Sequence, residues 1–169
     1  MRQLIIFGKG GVGKSTIAAN LSLCFSRHGR VLHIGCDPKR DSCRLLTDGK
    51  RIPTVIDRDL DLLPGGRSGS LTAATRHGID CIESGGPPPG IGCGGRGIAR
   101  AVELIQERGL LDGDTYETVM FDVLGDVVCG GFAAPLRFSS QPRTVFIVVS
   151  EGLMSLYAAN NICRAVLNY

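Results

Sequence analysis

Eight consecutive residues, Gly8-Lys9-Gly10-Gly11-Val12-Gly13-Lys14-Ser15, combine glycines, two lysines and a hydroxyl at the spacing G-x-x-x-x-G-K-[ST]. The octet follows a short apolar run at 4–7 and opens a helical pattern. In that context the glycines let backbone N–H groups converge on phosphate oxygens, and the helix start adds a positive dipole end. Lys14 is then expected to reach the β- and γ-phosphates of a nucleotide, and the Ser15 hydroxyl to ligate Mg2+. Acidic partners follow. Asp122 ends the run Val119-Met120-Phe121, the strand-tip position from which a carboxylate faces Mg2+ beside such a loop. Asp37 and Asp41, with Lys39 between them, sit in Cys36-Asp37-Pro38-Lys39-Arg40-Asp41 just after another apolar run. That is the edge at which open α/β sheets bind ligands.

A second chemistry is suggested by the cysteines. There are seven, an odd number, with no C-x-x-C pair, so a disulfide framework is not expected. Two of them are wrapped in glycine: Gly92-Cys93-Gly94-Gly95-Arg96-Gly97 and Val128-Cys129-Gly130-Gly131. Glycines around a thiolate allow several N–H groups to reach the sulfurs of an iron–sulfur cluster, and a helix starting near residue 97 brings a positive end towards Cys93. Spacing alone is equally compatible with two buried thiols in tight turns. Cys24, Cys36, Cys43, Cys81 and Cys163 are expected to pack as small apolar side chains.

The elements that must position these groups alternate. Short buried strands are expected at 4–7, 31–34, 119–121 and 145–149. Helices are expected at 15–27, with Ile17, Ala18, Leu21 and Phe25 on one face; at 98–105, where Ile98, Ala101, Val102 and Ile105 repeat at helical spacing before Gly109; and at 153–167. This pattern predicts a single α/β domain over 1–169, built on a mostly parallel sheet flanked by helices. Residues 47–80 show no clear periodicity, and Gly65-Gly66-Arg67-Ser68-Gly69-Ser70 reads as a surface loop. Tyr169 closes a helix with no cap and no strand after it, so the domain is expected to be C-terminally incomplete.

Composition narrows the class. Glycine supplies 24 of 169 residues, roughly twice the usual share of about 7%, and clusters in the loops already named. A net charge of +3 gives no basis for a nucleic-acid or membrane partner. No apolar run approaches the ~18 residues of a membrane span, and a cytoplasmic location is expected.

The same segments, taken together, resemble the nitrogenase iron-protein family, including its nitrogenase-like reductase ATPases. The resemblance is carried by residues 8–16, by Gly35-Cys36-Asp37-Pro38-Lys39, by Glu83-Ser84-Gly85-Gly86-Pro87 and by the glycine-wrapped Cys93 segment. It continues in Asp122-Val123-Leu124-Gly125-Asp126-Val127-Val128-Cys129-Gly130-Gly131-Phe132-Ala133 and in Tyr157-Ala158-Ala159-Asn160-Asn161. Lys9 resembles the extra lysine of the deviant Walker A class of P-loop NTPases, whose members dimerise over nucleotide. The resemblance implies a homodimer with one [4Fe-4S] cluster on its axis, held by Cys93 and Cys129 of each copy. It also implies Mg-ATP bound by Gly8, Gly10, Gly11, Val12, Gly13, Lys14, Ser15, Thr16 and Lys39. Magnesium would fall to Ser15, Asp41 and Asp122, and catalysis to Lys9, Lys14, Asp37 and Asp126, the two aspartates orienting the attacking water. Arg96 takes the position of an arginine used for docking or modification. The implied activity is ATP-dependent electron donation to a catalytic reductase component, with ferredoxin or flavodoxin as electron source. Asp122 and Cys129 share one short segment, so nucleotide state and cluster are expected to be coupled through it.

Two branches of the family fit. Arg96 matches nitrogenase iron proteins, while Pro53-Thr54-Val55-Ile56-Asp57 and Phe132-Ala133-Ala134-Pro135-Leu136 look more like the protochlorophyllide reductase ATPase. A different class, the cluster-free deviant P-loop ATPases of chromosome partition and septum positioning, shares the loop but gives no reason for the glycine-wrapped cysteines.

Overall fold

The computed structural model describes residues 1–61, 70–87, 90, 92–112, 115–125, 130–137 and 142–168. Among them, strands β1 (Arg2–Gly8), β2 (Val31–Cys36), β3 (Ala73–Ala74), β4 (Ile79–Glu83), β5 (Thr118–Val123) and β6 (Arg143–Val148) form one sheet in the order β3-β4-β2-β5-β1-β6. All pairings are parallel except the short antiparallel edge β3–β4. Helices α1 (Lys14–Phe25), α2 (Val55–Asp61), α3 (Gly94–Glu107), α4 (Ala134–Arg137) and α5 (Leu153–Val166) connect and cover it. This is the α/β, mostly parallel architecture expected.

The central strands are buried because they are apolar on both faces, as a sheet covered by helices requires. Every residue of β2 and β5 is buried, as is β1 after Arg2. The α3 stripe behaves as its spacing predicts: Ile98, Ala101, Val102 and Ile105 are fully buried, and Gly109 ends the run with a positive φ of 70°. Helix α1 departs from expectation. Its buried positions are Lys14, Ala18, Ala19 and Ser22, whereas Ile17 is 39% exposed. Of the expected face, Ala18 is fully buried and Leu21 and Phe25 pack partly buried against the core, so Ile17 is the position that departs.

Residues 47–80 hold more structure than their pattern suggests, namely α2, β3 and the start of β4. Residues 65–69 of the glycine-serine stretch lie outside the described residues. β6 begins two residues earlier than expected, ends one earlier, and is partly exposed where a buried strand was expected. No helix among the described residues is long and apolar enough to cross a membrane.

Parallel pairing puts the carboxyl ends of β1, β2, β4, β5 and β6 along one edge. The register sets Gly35 of β2 beside Asp122 of β5 on one side and Glu83 of β4 on the other. Glycine is required at 35, because a Cβ there would run into the Glu83 carboxylate and lie 2.7 Å from the Ser42 Cβ.

Candidate functional site

Along that edge lies a cavity of about 660 Å3 lined by Lys9, Gly10, Gly11, Gly13, Lys14, Ser15, Thr16, Asp37, Lys39, Asp41, Leu124 and Gly125. Three loops build it. The first leaves β1 and turns through Gly11 and Gly13, both at positive φ, into α1. Lys14 is buried at the helix start, its ammonium folded back towards the Lys9 carbonyl at 3.5 Å. The second loop leaves β2, where the Asp37 carboxylate accepts the Lys39 N–H at 2.9 Å and holds a tight turn while Lys39 and Asp41 stay exposed. The third leaves β5. Gly125 stands so close to the first loop that a Cβ would fall 2.6 Å from the Gly10 nitrogen and 2.8 Å from the Gly8 carbonyl.

Two expected nucleotide contacts stand apart from this lining. Gly8 packs under the loop, where a Cβ would strike the Val148 carbonyl. Val12 turns to a smaller hollow of about 350 Å3 shared with Ser150, Gly152 and the start of α5. Asp122 lies beneath the cavity and is only 3% exposed. Its Oδ2 accepts the Ser42 hydroxyl at 2.6 Å, whereas Oδ1 is buried with no hydrogen-bond partner among the described residues. Burial raises its pKa, opposed by the hydroxyls of Ser15 and Ser42 and by the Lys14 charge. A buried, orphaned carboxylate oxygen next to Ser15, with Asp41 on the cavity wall, suits a hard divalent cation that prefers oxygen donors. Asp126 lies outside the described residues.

The glycine-wrapped cysteine sits about one loop away. Cys93 is exposed and caps α3, whose first-turn N–H groups present the positive helix end. Against that first turn packs Gly131, further along the segment that follows β5. A Cβ on Gly131 would lie 2.6 Å from the Gly95 carbonyl and 2.7 Å from its Cα. Cys129 lies outside the described residues, but the position two residues after it is thereby fixed against the position two residues after Cys93. No three His, Cys, Asp or Glu side chains among the described residues gather to hold a metal.

Residues 2–169 match the family described as 4Fe-4S iron sulfur cluster binding proteins, NifH/frxC family. The chain belongs to this family. It is 48% identical to the nitrogenase iron protein of Methanospirillum hungatei, covering 98% of this chain and 59% of that protein. It is also 48% identical to nitrogenase iron protein 2 of Methanothermobacter thermautotrophicus, covering 98% and 61%. A third relative, nitrogenase iron protein 2 of Paenibacillus durus, is 44% identical, covering 100% and 58%. The chain thus spans about three-fifths of the length of the curated relatives it matches. Among solved structures, the kinase domain of Escherichia coli tyrosine kinase ETK superposes with a TM-score of 0.73 at 18% identity, over 98% of this chain and 62% of that one. The septum site-determining protein MinD of Pyrococcus horikoshii, complexed with Mg-ADP, gives 0.69 at 15% identity, over 99% and 66%. These likenesses establish the P-loop NTPase fold.

Arg96, exposed on the first turn of α3, lines a depression of about 550 Å3 with Cys93, Arg40, Arg100, Asp57 and Pro87. Cys36, Cys43 and Cys81 are buried as expected, and burial pushes the Cys36 thiol up to about 12. Cys24 and Cys163 are instead exposed, because they fall on the outer faces of α1 and α5. Sequence reasoning missed Ser42, His33, Ser22 and Glu83 as members of the site's support. The available signal was a polar residue inside an apolar run: His33 interrupts Val31-Leu32-His33-Ile34, and it is fully buried.

Proposed function

We propose that this chain acts as the ATP-hydrolysing electron donor of a two-component reductase of the nitrogenase or tetrapyrrole-reductase kind, working in the cytoplasm as a homodimer. One observation carries the reading: Gly125 packs on the nucleotide loop, and Gly131, six residues on, packs on the helix that Cys93 caps. Nucleotide site and cysteine site are thus the two ends of one short segment. The name nitrogenase iron protein, borne by the relatives above, supports the same reading.

In this scheme the loop N–H groups and Lys14 bind the β- and γ-phosphates, Thr16 and Lys39 complete the grip, and Lys9 reaches towards the second copy. Ser15, Asp41 and Asp122 would hold magnesium, which supplies charge neutralisation at the phosphates. Asp37 and Asp126 orient the attacking water. Cys93 and Cys129 of both copies would hold a [4Fe-4S] cluster, which supplies one-electron transfer when bound. Glycine N–H groups and the positive end of α3 stabilise negative charge at Cys93. Exchange of triphosphate for diphosphate alters the contacts of Leu124 and Gly125 and shifts the segment ending at Gly131. Arg96, beside Cys93, faces a catalytic reductase component, and ferredoxin or flavodoxin supplies electrons.

The test is iron content with chelator access in the anaerobically isolated native protein. About four irons per dimer are expected. Cys93→Ser is expected to lose them, and the exposed Cys24→Ser to keep them. Chelation of iron is expected to accelerate with Mg-ATP. Full iron content in Cys93→Ser overturns the cluster assignment, and equal chelation rates with and without Mg-ATP overturn the coupling.

A further inference from the structure

Behind Asp122 runs a line of buried polar groups that none of the roles above uses. Ser22 on α1 places its Oγ 2.8 Å from His33 Nδ1, and His33 Nε2 lies 2.9 Å from the Ser42 Oγ. Ser42 in turn donates to Asp122 Oδ2 at 2.6 Å. Ser22 and His33 are wholly buried, and Ser42 is 1% exposed. The line crosses four elements: the helix that starts at Lys14, strand β2, the loop carrying Asp37 and Asp41, and strand β5.

Proton counting fixes its direction. Asp122 must be ionised to hold a cation, and in that state the single Ser42 proton goes to its Oδ2, so the Ser42 oxygen accepts and His33 donates from Nε2. A neutral imidazole that is protonated at Nε2 accepts at Nδ1, so the Ser22 hydroxyl donates there. Burial keeps the ring neutral, lowering its pKa to about 4. Every hydroxyl and ring nitrogen in the line is then satisfied, and the acceptor at its end that has no partner among the described residues is Asp122 Oδ1. Were His33 to take the other tautomer, Nε2 would become an acceptor. Ser42 would turn its proton to the ring, and Asp122 would lose the bond that holds Oδ2 away from the cavity.

We propose that Ser22 and His33 are positioning residues that act through Ser42 to hold the Asp122 carboxylate with Oδ1 reserved for the divalent cation. The inference rests on the nucleotide reading above and extends it to groups that touch neither nucleotide nor cation. Residues that orient a metal ligand from behind commonly govern metal affinity by about 10–100-fold.

The experiment uses the native dimer and Mn2+ with ADP as the probe, read by electron paramagnetic resonance, together with 15N–1H spectra of the histidine rings. The wild type is expected to show His33 as the Nε2–H tautomer. His33→Leu is expected to weaken Mn2+ binding to the ADP complex at least about tenfold, while ADP affinity in excess chelator stays within about twofold. His33→Gln, whose amide can donate to Ser42 and accept from Ser22, is expected to recover most of the loss. Ser22→Ala keeps the ring and is the variant of choice if His33→Leu does not fold. It is expected to leave Nδ1 without its donor and the ring less firmly held, and so to weaken Mn2+ by less than His33→Leu does. An Nδ1–H ring in the wild type overturns the inference, as does unchanged Mn2+ affinity in Ser22→Ala or in folded His33→Leu. Equal losses with and without metal show a general packing role and overturn it as well. Failure of the wild type to bind ADP at all overturns the nucleotide reading itself.

Discussion

Glu83 closes β4 abreast of Gly35 and Asp122, with one oxygen accepting the Cys43 N–H at 2.7 Å and the other buried with no partner among the described residues. Burial raises its pKa from 4.5 to about 7, opposed by the Cys43 contact and reinforced by the charges of Asp122 and Asp41. A raised carboxylate favours the folded state while protonated, so its contribution is complete below pH 4.5 and is lost as pH rises through about 7. That span of about 2.5 pH units corresponds to about 3 kcal/mol at ~1.36 kcal/mol per unit. His33 acts in the opposite sense. Its pKa falls from 6.5 to about 4, so its contribution is complete above pH 6.5 and is lost as pH falls through about 4. The two nearly cancel between pH 4.5 and 6.5, and burial of Asp122 adds to the Glu83 side. Glu83→Gln keeps an acceptor for the Cys43 N–H and removes the titration, leaving the His33 slope uncovered. Urea unfolding followed by circular dichroism, without nucleotide or magnesium and at fixed protein concentration, measures it. Relative to wild type, the variant is expected to gain about 3 kcal/mol between pH 4.5 and about pH 8. A difference between variant and wild type that is the same at both ends of that range refutes the reasoning.

Three further perturbations follow from close contacts. Gly125→Ala puts a methyl 2.6 Å from the Gly10 nitrogen, where only backbone could yield. Overpacking of about 1–3 kcal/mol is expected to appear as an order-of-magnitude loss of ADP affinity by calorimetry. Gly131→Ala drives the same group into the Gly95 carbonyl and is expected to lower iron content while ADP still binds. Arg40→Ala removes a 2.9 Å ion pair with Asp57 and a contact to the Gly86 carbonyl from a residue held at φ 60°. A half-exposed pair of this kind is worth at most about 1 kcal/mol, so a thermal midpoint lowered by a few degrees is expected.

The central strands and the phosphate loop were readable because their signals are local. An apolar run needs no partner to be recognised, and the octet at 8–15 carries its own context. β4 escaped notice because Asp80 and Glu83 interrupt Ile79-Asp80-Cys81-Ile82-Glu83, each for a distant reason. Asp80 receives Arg30 at 3.0 Å and the Tyr116 hydroxyl at 2.8 Å, while Glu83 serves Cys43. α2 escaped because Val55-Ile56-Asp57-Arg58-Asp59-Leu60-Asp61 carries four charges in seven residues and offers little apolar stripe. The candidate site was readable in its ends and not in its support. The contacts of Ser22, His33, Ser42 and Asp122 join residues 11, 9 and 80 positions apart, and no spacing rule links them.

The structure also changes the expected route between nucleotide and cysteine. The sequence places that route in the chain from Asp122 to Cys129, with Asp37 to Asp41 as the other switch. The loop bearing Asp37, Lys39 and Asp41 turns out to touch the cysteine side directly. A Cβ on Gly94, the residue after Cys93, would lie 2.8 Å from the Pro38 ring, and one on Gly86 would lie 3.0 Å from it. Gly97 packs in turn on Gly86, with 3.1 Å from an added Cβ to the Gly86 Cα. Arg40, two residues after Pro38, reaches the Gly86 carbonyl and Asp57 across the depression that Cys93 and Arg96 line. Contacts this close leave little room for independent movement, since packed interfaces shift between discrete arrangements rather than deform. On the function proposed above, a displacement of the 37–41 loop by phosphate contacts would press on the start of α3 from one side, where Gly131 packs from the other. Cys93 stands at the meeting point of both paths. The start of α3, which Cys93 precedes, is thus packed by Pro38 from one side and by Gly131 from the other.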